Sequence, residues 1–155
     1  MKKYLLILCI TLAVILAFPI AVSAGNTVTV TGQIGNTFSL SVDNATLNFP
    51  SLQTGENPLP DPTTLTITTS SESWNVDTTS TNGGYMNAGG AKNLQTPFEL
   101  SLDGSTWNTD TGSWAMISST TPGITVQPVY MRQNVLTNDA EGSYSITVTF
   151  TGSSS

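Results

Sequence analysis

Apolar and polar residues alternate with a period of two along most of the chain after residue 25. Such alternation predicts strands, because successive side chains of a strand point to opposite faces of a sheet. No segment in this part of the chain has the sustained period of an amphipathic helix. The alternating segments are residues 38–42, 47–49, 65–67, 74–76, 98–102, 124–130 and 144–150.

Clusters of Gly, Pro, Asn and Asp separate these segments, as is typical of turns. About seven to nine short strands at this spacing predict an all-β fold, a single antiparallel β-sandwich of Ig-like or jelly-roll-like type. A small barrel is the alternative, since periodicity does not separate the two. In both folds the apolar face of each strand is expected to face the core, with the Thr and Ser side chains facing solvent.

The segment 80–96, STNGGYMNAGGAKNLQT, interrupts the alternating pattern. It is rich in Gly and Asn, so it predicts a long loop that either binds a ligand or is a mobile connector. The last three residues, 153–155, are expected to form a disordered tail. The predicted sandwich domain therefore covers residues 25–152.

The first 24 residues have the composition of a secretion signal. Lys2 and Lys3 precede an apolar run from Leu5 to Ile20, and Val22-Ser23-Ala24 has the small residues of a cleavage site. These features predict a signal peptide over residues 1–24 and a secreted, extracellular protein. Association with a cell surface stays open. An uncleaved N-terminal anchor is the alternative. After cleavage we expect no membrane span in the mature chain.

The charge of the chain is strongly acidic, with four Lys and Arg residues, ten Asp and Glu residues and a net charge of −6. Removal of the signal peptide leaves only Lys92 and Arg132 as cations. Nucleic-acid binding needs a basic stripe that neutralises phosphates, so no nucleic-acid partner is expected. Self-association, other surface proteins and polysaccharides stay open as partners.

Side chains that commonly carry catalysis are scarce. The chain has no His, and its one Cys, Cys9, lies in the predicted signal peptide. Ser-His-Asp and Cys-His arrangements and the usual zinc ligands are thereby excluded from the mature chain. Most carboxylates lie in turns, and Glu99 is expected to be a lone glutamate pointing to solvent. We therefore expect a non-enzyme with no catalytic residue, metal or cofactor; the acidic turn 138–141 is the alternative, as a calcium site.

The segment GNTVTVTGQI, residues 25–34, predicts a strand at the start of the mature chain. Val28, Val30, Gly32 and Ile34 share one face of this strand. The same pattern fits two arrangements. The strand is either the first strand of the chain's own sandwich or a strand that is donated to the open edge of another subunit.

Aromatic residues and one sequon supply the other candidate sites. Trp107, Trp114 and Tyr85 are candidates for stacking on sugar rings, which would make the protein an extracellular carbohydrate-binding module. Alternatively, the two tryptophans hold a hairpin as a cross-strand pair. Asn44 begins the sequon Asn-Ala-Thr in a predicted turn and is a possible glycosylation site.

Three segments together resemble secreted surface sandwiches. These are LNFPSLQTGENP, then TTLTITTSSESWNVDTTS, and finally AEGSYSITVTFTG. Their layout is similar to that of WxL-like, spore-coat and fimbrial-subunit domains. The resemblance implies an Ig-like extracellular protein with a structural or adhesive role at a cell surface or in a matrix. In fimbrial-type subunits an N-terminal strand completes the sandwich of the next subunit.

Overall fold

The computed structural model describes Thr31, residues 35–109 and residues 114–155. The predictions of a signal peptide over residues 1–24 and of a strand-exchange face at Val28, Val30, Gly32 and Ile34 lie outside these described residues.

The described residues form nine strands, one short 3₁₀ turn and no α-helix, so the all-β prediction is confirmed. In this described part, no helix is long and apolar enough to cross a membrane. The strands are β1 (Phe38–Val42), β2 (Gly55–Pro58), β3 (Thr63–Thr69), β4 (Trp74–Ser80), β5 (Phe98–Ser101), β6 (Asn108–Thr109), β7 (Trp114–Ser119), β8 (Gly123–Val135) and β9 (Val148–Ser154), with the 3₁₀ turn at Thr81–Gly84.

The strands form two antiparallel sheets. The larger sheet has the order β1-β3-β8-β5-β6, and β2 also pairs with β8. The smaller sheet has the order β7-β4-β9. Strands β1 and β9, one from each sheet, lie in contact. The predicted antiparallel β-sandwich is therefore confirmed.

Strand β8 is the central strand of the larger sheet. Its first half, Gly123–Val129, pairs with β3, and its last residues, Arg132–Val135, pair with β2. Residues Tyr130–Gln133 pair with β5. The Leu59 amide donates to the Met131 carbonyl over 2.9 Å, between the β2 and β3 pairings. Strands β2 and β3 thus lie end to end along one side of β8.

The core lies between the two sheets, where the inward faces of β3, β4 and β5 meet. Burial of these side chains follows the predicted alternation, since Leu65, Ile67, Trp74 and Val76 are all buried. Except for Ser80, which ends β4, the predicted loop 80–96 is not in a strand, yet it contributes two side chains to the core. The buried apolar residues are Leu65, Ile67, Trp74, Val76, Met86, Leu94, Phe98, Leu100, Met116, Val129 and Met131.

The first half of β8 has the opposite orientation to the predicted one. Ile124 and Val126 are 72% and 61% exposed, although their alternation predicts a core face. The register explains this result, because Ile124 lies opposite Thr68 and Val126 opposite Thr66. Residues opposite each other in a sheet share a face, and these two threonines point away from the core.

Other strand boundaries differ from those that the pattern predicts. Residues 47–49 are not in a strand, although Leu47 and Phe49 still pack against the core. The strand predicted over 144–150 begins only at Val148. Ser153 and Ser154 pair with β4, where the sequence predicts a disordered tail.

Close packing of β1 on β9 yields a stability prediction. A side chain at Gly152 would overlap the ring of Phe38. We expect Gly152→Ala to lower the free energy of unfolding by about 1–3 kcal/mol, because the ring must shift. Urea unfolding measures the loss. Gly35→Ala is the matched control, since a Cβ there meets no atom within 4 Å. If Phe38→Leu does not reduce the cost of Gly152→Ala, the contact is not the cause.

Candidate functional site

A groove of about 770 Å³, lined by apolar side chains and uncharged polar groups, lies at one end of the sandwich. Strand β1 ends at Val42 and β9 begins at Val148. The chain segments that continue these strands outside the sheets, 44–52 and 142–146, form the two walls. The larger apolar side chains of the lining include Val42, Leu47, Phe49 and Leu52 on the first wall, Tyr144, Ile146, Val148 and Phe150 on the second, and Met86, Phe98 and Met131 on the floor.

The second wall is an extended segment that is hydrogen-bonded along one side. Ser145 and Asn87 exchange two backbone hydrogen bonds of 2.9 and 3.0 Å. The Thr81 amide donates to the Thr147 carbonyl over 3.0 Å. Tyr144 donates its hydroxyl to the Ala140 carbonyl over 2.6 Å. These bonds hold the wall in place, and among the described residues no strand pairs with its other side.

The first wall leaves the sheet at Asp43. The Asp43 carboxylate accepts hydrogen bonds from the Thr64 amide over 2.8 Å and from the Thr63 hydroxyl over 3.0 Å. The Thr63 hydroxyl also donates to the Asn44 carbonyl over 3.1 Å. The hydrogen bond from the Thr64 backbone holds the pKa of Asp43 below its usual value of 3.8. Asp43 therefore ends the pairing of β1 and turns the chain towards the groove.

The floor of the groove belongs to the core of the sandwich. Phe49 from the first wall packs edge-on against Phe98, with ring centroids 6.3 Å apart and an interplanar angle of 86°. Phe98 and Met86 are themselves buried. Side chains that entered the groove would therefore contact the core directly.

Charge is absent from the groove, since none of its described lining residues is Asp, Glu, Lys or Arg. Its walls are half-buried apolar side chains, and its rim carries exposed Asn44 and Asn48. Such a site suits burial of an extended segment with alternating apolar side chains, because burial is favourable for each apolar side chain. The predicted glycosylation residue, Asn44, lies in an exposed turn on this rim.

The chain enters β1 at the end away from the groove. The Ser70 amide donates to the Thr37 carbonyl over 3.1 Å, and the Ser70 hydroxyl donates to the Gly35 carbonyl over the same distance. These bonds continue the register in which Phe38 lies opposite Thr69. Gly35–Thr37 thus extend the line of β1. At the rise of a strand, about 20 Å separate Gly35 from Val42 at the groove.

Trp107 lies in a charged cluster on the outer face of the larger sheet. The Arg132 guanidinium carbon lies 4.4 Å from the centroid of its ring. Arg132 also forms ion pairs with Glu99 at 2.7 Å and with Glu56 at 3.0 Å. The prediction of a lone, solvated Glu99 is therefore wrong, because this side chain is only 19% exposed and has a cationic partner.

The structure places the three candidate sugar-binding aromatics apart. Trp107 immediately precedes β6 in the larger sheet, whereas Trp114 begins β7 in the smaller sheet and packs against the core. Tyr85 follows the 3₁₀ turn. No ring contact joins these side chains among the described residues. The alternative of a hairpin held by a tryptophan pair is also not formed, because β6 and β7 belong to different sheets.

The acidic turn at 138–141 has a structural role. The Asp139 carboxylate accepts hydrogen bonds from the Leu136 amide over 2.7 Å and from the Gln95 amide over 3.0 Å. Asn138 donates to the Gln95 side chain over 3.1 Å. The turn thereby fixes loop 80–96 to the end of β8. Within the described ranges, no three acidic side chains converge on a possible metal position.

Comparisons with protein-family models, with curated proteins and with solved structures give no match to this chain. Its function is therefore inferred from the groove and from the residues of the chain itself.

The hydrogen bonds of Asp43 predict a pH dependence of stability. The folded-state pKa lies below 3.8, so the ionised carboxylate stabilises the fold above that pH and the contribution is lost as pH falls through the folded-state value. We expect Asp43→Asn to reduce the free energy of unfolding by a constant amount between about pH 5 and 7. The difference from the wild type should shrink below pH 3.8. Urea titrations across this range measure it, and a difference that persists unchanged in strong acid would contradict the prediction.

Proposed function

We propose that this chain is a secreted, non-enzymatic structural or adhesive component of a cell surface or extracellular matrix. We propose further that copies are joined by strand exchange, in which residues 25–34 of one copy fill the groove of the next. The observation that carries the proposal is the groove itself. An uncharged cleft whose apolar floor is continuous with the core, beside an extended segment with a free side, suits the addition of a strand.

The chemistry of the segment fits the chemistry of the groove. GNTVTVTGQI contains no charged residue, and the described lining of the groove has none. Val28, Val30 and Ile34 alternate with polar residues, so an extended backbone would direct all three into the groove. Each buried aliphatic side chain contributes about 1.5–3 kcal/mol, which is enough to offset part of the cost of ordering the segment.

The direction of the chain favours a groove in another copy. To reach the groove of its own domain, the segment would have to reverse at Gly35 and run back along β1. The Ser70 bonds hold Gly35–Thr37 in the line of β1, away from Val42. Joining to another copy requires no reversal. A head-to-tail contact of this kind builds a ring or an open filament, depending on the rotation between successive copies.

Substitutions in the segment test strand exchange. We expect the wild-type secreted protein to form multimers in size exclusion with light scattering, and a Val28→Asp/Val30→Asp variant to be monomeric, because a carboxylate is costly against the apolar floor of the groove. Thr27→Asp/Thr29→Asp is the matched control. It adds the same charge to the opposite face of the predicted strand and should leave the multimers intact.

A peptide added in trans tests occupation of the groove. The peptide GNTVTVTGQI should raise the Tm of the monomeric variant by about 5 °C or more at about 100 times its Kd. The same peptide with aspartates in place of both valines should have no effect.

Other outcomes identify other arrangements. A wild-type monomer whose Val28→Asp/Val30→Asp variant unfolds would show that the strand closes its own sandwich. Multimers that survive these substitutions would show that assembly uses another surface.

A further inference from the structure

We infer that the open edge of β8 at Ile124–Val126 is a second self-contact, which pairs with the same edge of another copy. The contact is antiparallel and two-fold symmetric, with Ile124 opposite Val126 of the second copy. It uses a different part of the sandwich from the groove and would join copies side by side.

The backbone groups of Ile124 and Val126 face an open edge. The Thr64 carbonyl accepts a hydrogen bond from Asp43 on the β1 side, so the neighbours of Thr64 in β3 bond to β8. In that register, Thr125 bonds to Ile67, and the amides and carbonyls of Ile124 and Val126 point the other way. Strand β5 reaches β8 only from Tyr130 onward. Among the described residues, nothing pairs with this edge.

The side chains at this edge are apolar and uncharged. Ile124 and Val126 are the two most exposed of the large hydrophobic residues in the described part of the chain. Sheet edges are usually protected by charged side chains, and β8 carries none before Arg132. The neighbouring outward residues, Thr66 and Thr68, are also uncharged. An open, apolar edge of this kind favours association through strand pairing.

The sequence around the edge indicates a second copy as the occupant. In a two-fold pairing centred on Thr125, Ile124 of each copy lies opposite Val126 of the other. Each of these two pairs forms about two backbone hydrogen bonds in the antiparallel pattern, which gives about four in all. The same register places Pro122 opposite Pro128 of the other copy. Neither proline has an amide hydrogen, so both mark the limits of pairing at matching positions.

The two-fold arrangement also brings the exposed side chains of Ile124 and Val126 together. Ile124 and Val126 of both copies would form one apolar cluster on the outer face. A self-complementary patch is what a two-fold interface requires. The contact is small compared with standard interfaces of about 1,600 Å², so each pairing is weak alone and gains strength when many copies are joined.

Disulfide trapping tests the register. The secreted protein is used in a Cys9→Ser/Val28→Asp/Val30→Asp background, which removes the natural thiol of any uncleaved chain and prevents end-to-end strand exchange. Ile124→Cys protein is then mixed with Val126→Cys protein. We expect cross-linked dimers to form at least about tenfold faster in the mixture than in either protein alone, because paired Cα atoms about 5.5 Å apart suit a disulfide.

Thr68→Cys mixed with Val126→Cys is the matched control, since Thr68 is exposed on the same face one strand away. This mixture should gain no acceleration. Equal rates in all samples, or faster trapping through Thr68, would overturn the proposal. Hydrogen exchange gives an independent readout. Amide protection at Ile124 and Val126 should increase with protein concentration, whereas protection independent of concentration would assign the edge to a segment of the same chain.

Discussion

The pairing of β8 with three other strands is the constraint on which the larger sheet depends. This 13-residue strand is hydrogen-bonded to β3, β2 and β5. Its register with these strands decides which side chains of the sheet face inward. Gln133 lies fully buried where β2 and β5 meet it. Its amide donates to the Thr96 and Asn134 carbonyls, over 3.1 and 2.7 Å. A slip of one residue would break these bonds and turn Val129 and Met131 out of the core.

The register of β8 explains which predictions of side-chain burial are correct and which are wrong. Leu65, Ile67, Trp74 and Val76 lie in strands covered by the other sheet, so simple alternation predicts their burial correctly. Ile124 and Val126 alternate with polar residues equally well. However, Val129 and Met131 further along the same strand are the residues of β8 that point into the core, so Ile124 and Val126 point outward. Local alternation shows that residues share a face, but the neighbouring strand determines whether that face is inside.

The groove is hidden from sequence reasoning for a related reason. Residues 47–49 and 144–147 have the alternation of strands, and their apolar side chains do face the core. Whether such a segment joins a sheet depends on hydrogen-bonding partners distant in sequence. Asp43 directs the chain out of β1 through its bonds to Thr63 and Thr64, twenty residues further along the sequence. The sequence predicts the apolar walls, and only the three-dimensional pairing shows that they enclose an open cleft.

The two proposed contacts share one property, which bears on how an acidic chain could assemble. A net charge of −6 opposes close approach of copies. Neither the groove lining nor the β8 edge carries a charge in the described part of the chain, so no carboxylate is desolvated when they are covered. Repulsion then arises only between charges on other faces, where salt screens it beyond about 8 Å at physiological ionic strength. In the proposed assembly, the acidic surface would oppose association through other faces, while the two uncharged contacts would leave two directions of association favourable.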